Sequence, residues 1–214
     1  MAREGIPFVA LFALPALIAG VFAGLTASVL LWVLAIACLL LTAFMAYFFR
    51  DPARTVPSES GIVVSPADGK VLVVERIDAS DEASATQVSI FLSPMDVHIN
   101  RAPIGGTIES VTYKPGEFRV ASRKIASEVN EQNVISIRGA EMSVVARQIA
   151  GLVARRIVCW KKAGEHVETG ERIGLMKFSS RMDVIMTSDI EVLCRIGDRV
   201  VGGETVIGRK IRDR

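Results

Sequence analysis

The 214-residue chain has only two histidines, three cysteines and two tryptophans, and aromatic residues make up 6% of it. Cys38, Cys159 and Cys194 lie far apart and form no CxxC. That spacing suggests neither a disulfide framework nor a zinc site. No HExxH or other metal-ligand cluster occurs, so no metal is expected. A Gly-rich nucleotide loop is missing as well. Charge of one sign is not in excess: 25 basic residues face 23 acidic ones, for a net charge of +2. With no basic block, a nucleic-acid partner is not expected. The 17 Gly and 8 Pro are ordinary usage, which excludes collagen-like and low-complexity classes. A hydrophobic share of 50% with so little net charge excludes disorder. The length allows one or two domains.

The largest gap is in charge. No Asp, Glu, Lys or Arg occurs between Glu4 and Arg50, a run of 45 residues. One helical membrane span needs only about 20, so the run holds two. A break at Gly24-Leu25-Thr26-Ala27-Ser28 predicts a hairpin, Ile6 to about Gly24 and about Ser28 to Phe49. A signal peptide would be shorter and would end in small residues, whereas here a richer apolar stretch follows from Val29 to Leu34. The remaining alternative is a helix pair buried in a soluble protein. Arg3 before the run and Arg50 and Arg54 after it predict that both ends face the cytoplasm. Trp32 and Tyr47 are candidate interface anchors.

Beyond the linker marked by Pro52, Pro57 and Ser58-Glu59-Ser60-Gly61, short Val- and Ile-rich runs alternate with turns. That pattern predicts strands over Ile62–Val64, Lys70–Ile77, Gln87–Leu92, Gly106–Tyr113, Val134–Ile137, Met142–Ile149, Arg156–Trp160, Arg172–Phe178, Met182–Thr187 and Ile190–Arg195. Residues Glu117–Val129 read as loop or helical turn. A repeat of pattern G-[DE]-x-V-x-x-G-E joins Gly164–Glu171 to Gly197–Glu204, 33 residues apart. Each copy precedes a β run. The expected fold is a membrane-anchoring helical hairpin (1–50) and a mainly β domain (51–214) of barrel-sandwich or hammerhead type with quasi-repeats.

Few residues offer polar chemistry. His98 follows an apolar strand, with Asp96 two residues before it. In an extended segment both would point to one face, which suits a general acid or base. A structural histidine at a bend is the alternative. His166 sits in the repeat turn, opposite Arg199 of the second copy, and reads as solvated. Asp68 lies in the turn Ser65–Lys70, where turn chemistry explains it. Ser179-Ser180, between two β runs, reads either as a tight turn or as a reactive serine.

Together these segments resemble the short, membrane-anchored phosphatidylserine decarboxylases. The resemblance rests on the apolar N-terminus, Tyr47–Pro52, Ser65–Lys70, Val97–Pro103, Gln148–Ile157 and Gly170–Leu175, in that order. It implies a zymogen of phospholipid biosynthesis that makes phosphatidylethanolamine from phosphatidylserine in the cell membrane. It implies autocatalytic cleavage between Ser179 and Ser180, giving a β chain (1–179) and an α chain (180–214). Ser180 would become a covalent N-terminal pyruvoyl cofactor that forms a Schiff base with the lipid's serine amine. The resemblance assigns His98 as base and Asp68 as the carboxylate orienting it. Arg101, Arg155 and Arg156 are candidates to bind the substrate phosphate, and homo-oligomerisation is left open.

Two positions depart from the family pattern. Ser179 stands where Gly usually precedes the reactive serine, and Arg101 stands where longer members carry another histidine. One His must then serve both self-cleavage and decarboxylation, or another group takes one task. The alternatives are an unprocessed pseudoenzyme or lipid-binding protein of the same fold, and a biotinyl/lipoyl-type carrier modified at Lys177, since Met176-Lys177-Phe178 partly matches a biotinylation turn.

Overall fold

A computed structural model describes residues 1–79, 83–152, 156–177 and 180–211. The chain divides into two compact units, Met1–Pro52 and Ala53–Arg214.

The first unit is a helical hairpin, α1 (Ile6–Thr26) and α2 (Val29–Phe48). Gly24 does not end α1. The turn falls at Ala27, whose φ of 51° is left-handed, and at Ser28, which caps α2. Glycine inside a helix costs only about 1 kcal/mol relative to alanine. That is less than the cost of leaving backbone groups unsatisfied in an apolar medium. The hydroxyls of Thr26 and Thr42 bond back to the carbonyls of Phe22 and Cys38 at 2.7 and 2.8 Å. Small residues form the contact between the helices: Ala19, Ala23 and Ala35 are buried, and Gly20 faces Ala35. Leu17, Leu25 and Leu30 point outward. Both helices are long and apolar enough to cross a membrane, and little of either is buried. An outward apolar surface of this extent fits lipid better than water. The hairpin's ends are tied by Ala2 N–H donating to the Phe49 carbonyl at 2.9 Å and by stacking of Phe8 on Phe49.

The second unit is mainly β, as the alternating pattern predicts. Its strands are β1 (Ile62–Val64), β2 (Gly69–Ala79), β3 (Ala83–Leu92), β4 (Ile99–Arg101), β5 (Gly106–Lys114), β6 (Gln132–Arg138), β7 (Ser143–Ile149) and β8 (Ile157–Cys159). They continue as β9 (His166–Val167), β10 (Arg172–Met176), β11 (Ser180–Thr187), β12 (Ile190–Val192), β13 (Arg199–Val200) and β14 (Val206–Lys210). A one-turn helix, α3 (Ala126–Val129), interrupts them. Eight strands form one sheet in the order β13-β2-β3-β11-β7-β6-β5-β9. Two three-stranded sheets, β1-β14-β12 and β4-β10-β8, complete the unit.

Strand alternation sends one set of side chains to a shared core. Val88, Ile90, Met182, Val184, Ala146 and Ile135 come from the large sheet. Val63, Ile173, Met176 and Ile207 meet them from the small sheets. Each such side chain, fully buried, contributes roughly 1.5–3 kcal/mol. The repeat is structural as well as sequential: β9 and β13 are its two short strands, pairing with β5 and β2. Gly170 and Gly203 hold equivalent positive φ values of 76° and 79°.

Three sequence expectations shift. β4 carries Asn100 and Arg101, which broke the apolar pattern, yet both are buried. The run Ile190–Arg195 is a strand only to Val192, because a turn closes there when Arg195 N–H bonds Asp198 at 2.8 Å. β10 ends at Met176, and Phe178 lies outside the described residues.

Candidate active site

The start of β11 and the ends of β3 and β7 adjoin at one end of the large sheet. Ser180 opens β11 opposite Leu92, the last residue of β3. The neighbouring β7 ends at Ile149, opposite Arg181. Ser180 is fully buried, and its Oγ has no hydrogen-bond partner among the described residues. Leaving a buried hydroxyl unsatisfied costs about 1–3 kcal/mol, so such a group calls for a functional explanation. Ser179 lies outside the described residues.

His98 belongs to the loop after Leu92. It is fully buried, and its carbonyl accepts the Met176 N–H at 3.2 Å. The segments 92–98 and 176–180 are therefore joined at both ends: Leu92 pairs with Ser180, and His98 with Met176. The backbone thus brings Ser180 and His98 into one neighbourhood from distant parts of the chain.

The expected shared face of Asp96 and His98 is not found, because residues 94–96 turn and the segment is not extended. The Asp96 carboxylate accepts Ser93 N–H and Oγ–H, both at 2.8 Å, and Arg199 Nη2 at 2.6 Å. His98 is reached by the main chain: its Nδ1 lies 3.0 Å from the Asp96 carbonyl oxygen. A carbonyl only accepts, so Nδ1 carries the proton. In the neutral ring Nε2 is then the basic nitrogen.

Asp68 stands on the other side of β3. Both its oxygens face Arg54 Nη2, at 2.9 and 2.8 Å, and Oδ1 also accepts the Gly202 N–H at 2.8 Å. The ion pair is largely buried. Gly69, the next residue, passes so close to β3 that a Cβ would lie 2.2 Å from the Phe91 carbonyl oxygen. Asp68 is thereby held near Phe91 and Leu92, one strand away from Ser180.

The remaining candidates separate. Arg101 is buried, and its Nη1 donates to the Gly170 carbonyl at 2.9 Å. Arg156 is exposed, and Arg155 lies outside the described residues. His166 opens β9 and not a turn; it is exposed and lies 3.6 Å from Glu168. Lys177 lies between β10 and β11 and is half-buried.

Sequence reasoning missed several positioning residues. Arg54 read as a charge flanking the membrane, yet it partners Asp68. The second repeat copy read as a fold element, yet Arg199 and Gly202 hold Asp96 and Asp68. A buried amide chain also fixes β4: Asn133 Nδ2 donates to Gln148 Oε1 at 3.0 Å, and Gln148 Nε2 to Asn100 Oδ1 at 2.8 Å. Polar residues in otherwise apolar strands were the available signal.

Comparison with known proteins gives the site its context. A family model described as phosphatidylserine decarboxylase matches residues 41–208. A phosphatidylserine decarboxylase proenzyme of Solibacter usitatus is 49% identical over 177 residues, covering 83% of this chain and 84% of that one. Proenzymes of the same name from Desulfotalea psychrophila and Pelobacter propionicus are 39% and 42% identical, covering 99% and 98% of this chain and 97% and 96% of theirs. With matches of this length, the chain belongs to the phosphatidylserine decarboxylase family and is a decarboxylase.

Proposed function

We propose that the chain is a self-processing proenzyme that decarboxylates phosphatidylserine to phosphatidylethanolamine with a pyruvoyl group made from its own Ser180. The observation that carries this reading is the fully buried Ser180 hydroxyl, without a hydrogen-bond partner among the described residues and joined through two backbone contacts to the His98 loop. A serine that serves only as a turn has no reason to bury its hydroxyl unsatisfied.

In the first step Ser180 Oγ attacks the carbonyl carbon of residue 179, and Nε2 of His98 takes its proton. The peptide C–N bond breaks and the acyl group moves to oxygen, leaving an ester and a free amine. Loss of the α-proton of residue 180 then expels the ester oxygen as the new C-terminal carboxylate of the β chain, 1–179. Water replaces ammonia at the resulting dehydroalanine, and the α chain, 180–214, begins with a keto acid. Asp68, fixed by Arg54 and the Gly202 N–H, is the carboxylate that assists the histidine in this step.

The residues fit such a group, since Ser180 provides its carbon skeleton in a buried position. When formed, the pyruvoyl carbonyl supplies an electron sink for the lipid's serine amine as CO₂ departs. His98 then returns a proton to the former α-carbon. Arg156, exposed beside β8, suits the substrate phosphate better than Arg101, whose guanidinium is buried against Gly170. The hairpin keeps the enzyme where the acyl chains are, with both ends of the hairpin on the cytoplasmic side.

Ser180→Ala tests the assignment. The variant is expected to stay a single chain and to release no CO₂ from carboxyl-labelled phosphatidylserine. A split, active variant would show that another residue is the nucleophile.

A further inference from the structure

Arg181 follows Ser180 directly and turns to the opposite face of β11. Its side chain and that of Asp183 are 1% and 0% exposed. Nε donates to Asp183 Oδ1 at 2.6 Å, Nη2 to Ser89 Oγ on β3 at 2.5 Å, and Nη1 to the Arg123 carbonyl at 3.4 Å. Asp183 also accepts from Ser127 Oγ at 2.7 Å. One guanidinium thus ties β11 to the adjacent strand and to the segment that leads into α3. The cluster lies on the sheet face away from the Ser180 hydroxyl, and the chemistry proposed above does not use it. A buried ion pair is costly to assemble, and apolar residues of similar volume often stabilise a fold as well or better. Stability alone is therefore a poor reason for this one.

Resting on the self-cleavage reading, we infer that Arg181 is a positioning residue that holds residue 180 in register after the chain is cut. Before the cut, residue 180 is fixed from both sides by covalent bonds. Afterwards it is the first residue of a strand, and chain ends fray unless tied down. It has also lost its backbone nitrogen. The first side chain that can anchor the new terminus is that of residue 181, and it reaches three separate partners.

The test compares Arg181→Met in two full-length backgrounds, the self-processing chain and the uncut Ser180→Ala chain. Melting temperature is measured for both, and kcat and KM on phosphatidylserine micelles for the first. An anchor needed only after the cut predicts a loss in the split protein larger by at least about 3 °C than in the uncut one. It also predicts that kcat falls about tenfold or more, because displacing the reacting group by an ångström is costly, while KM stays nearly constant. Arg181→Lys should recover part of the rate. Should Arg181→Met fail to fold, Ser89→Ala removes a single partner and should show the same difference between backgrounds. Equal losses in both backgrounds with unchanged kcat would overturn the inference, leaving a merely structural ion pair. A folded Arg181→Met that stays uncut would overturn it too, by placing the residue's role before cleavage. If the parent chain is never cut, the self-cleavage reading itself fails, and that is a separate result.

Discussion

His98 and Asp96 are linked through the main chain: the ring Nδ1 lies 3.0 Å from the Asp96 carbonyl oxygen. The Asp96 side chain turns instead to Ser93 and Arg199. A carboxylate two residues from a histidine invites the reading of a side-chain pair, and here that reading is wrong. The imidazole tautomer depends on backbone geometry. Asp96→Asn should therefore keep self-cleavage within about tenfold of the parent, since the carbonyl survives. Stability should fall by about 1–2 kcal/mol through the lost charge-assisted bonds. Cleavage half-times on gels and denaturant titrations check both parts. Complete loss of cleavage in a folded variant would mean that the carboxylate acts on the ring.

Arg54 and Asp68 form the opposite case, a side-chain ion pair with most of its surface buried. Arg54→Gln leaves Asp68 with the Gly202 N–H but no counter-charge. The expected loss of stability is about 2 kcal/mol. Cleavage should also slow, because the carboxylate is less firmly placed. Asp68→Asn should slow cleavage more than Arg54→Gln does, as it removes the charge itself. Pulse-chase measurement of processing ranks the two, and the reverse order would contradict the role proposed for Asp68.

Glu171 gives a pH signature. The Lys161 ammonium, 2.5 Å away, holds its carboxyl below the usual range. A lowered carboxyl pKa stabilises the fold above the unfolded-state value of about 4.3 and ceases to do so as pH falls through the folded value. The pair is partly exposed, so its worth is about 0.5 kcal/mol. Lys161→Met should be less stable than the parent at pH 7 by that amount. The gap should close as the pH falls below about 4. A gap independent of pH in chemical denaturation would assign the effect to packing of the lysine stem.

The hairpin and most strands were legible because each follows from a strong local signal. One is an uncharged run, and the other is Val- and Ile-rich alternation between turns. β4 was not legible. Asn100 Oδ1 accepts from Gln148 and Arg101 donates to the Gly170 carbonyl, and those partners are distant in sequence. The hairpin turn falls inside the Gly24–Ser28 break, and α1 runs two residues past Gly24 to Thr26 because a helix in an apolar medium must keep its own hydrogen bonds. Within the site, His98 is legible as a general acid or base from its place after an apolar strand, and the resemblance adds the roles of Ser180 and Asp68, whereas Arg54, Arg199 and Gly202 carry no such signal. Their contacts cross 14, 103 and 134 positions of chain, and no local pattern encodes such pairings.

Self-cleavage makes the cofactor, and the intact mass of the detergent-purified protein is its decisive test. The expected result is two chains divided between Ser179 and Ser180, the smaller of 35 residues with a blocked N-terminus carrying the mass of a pyruvoyl group. A single uncut chain with an unmodified Ser180 that nevertheless releases CO₂ from phosphatidylserine would contradict it.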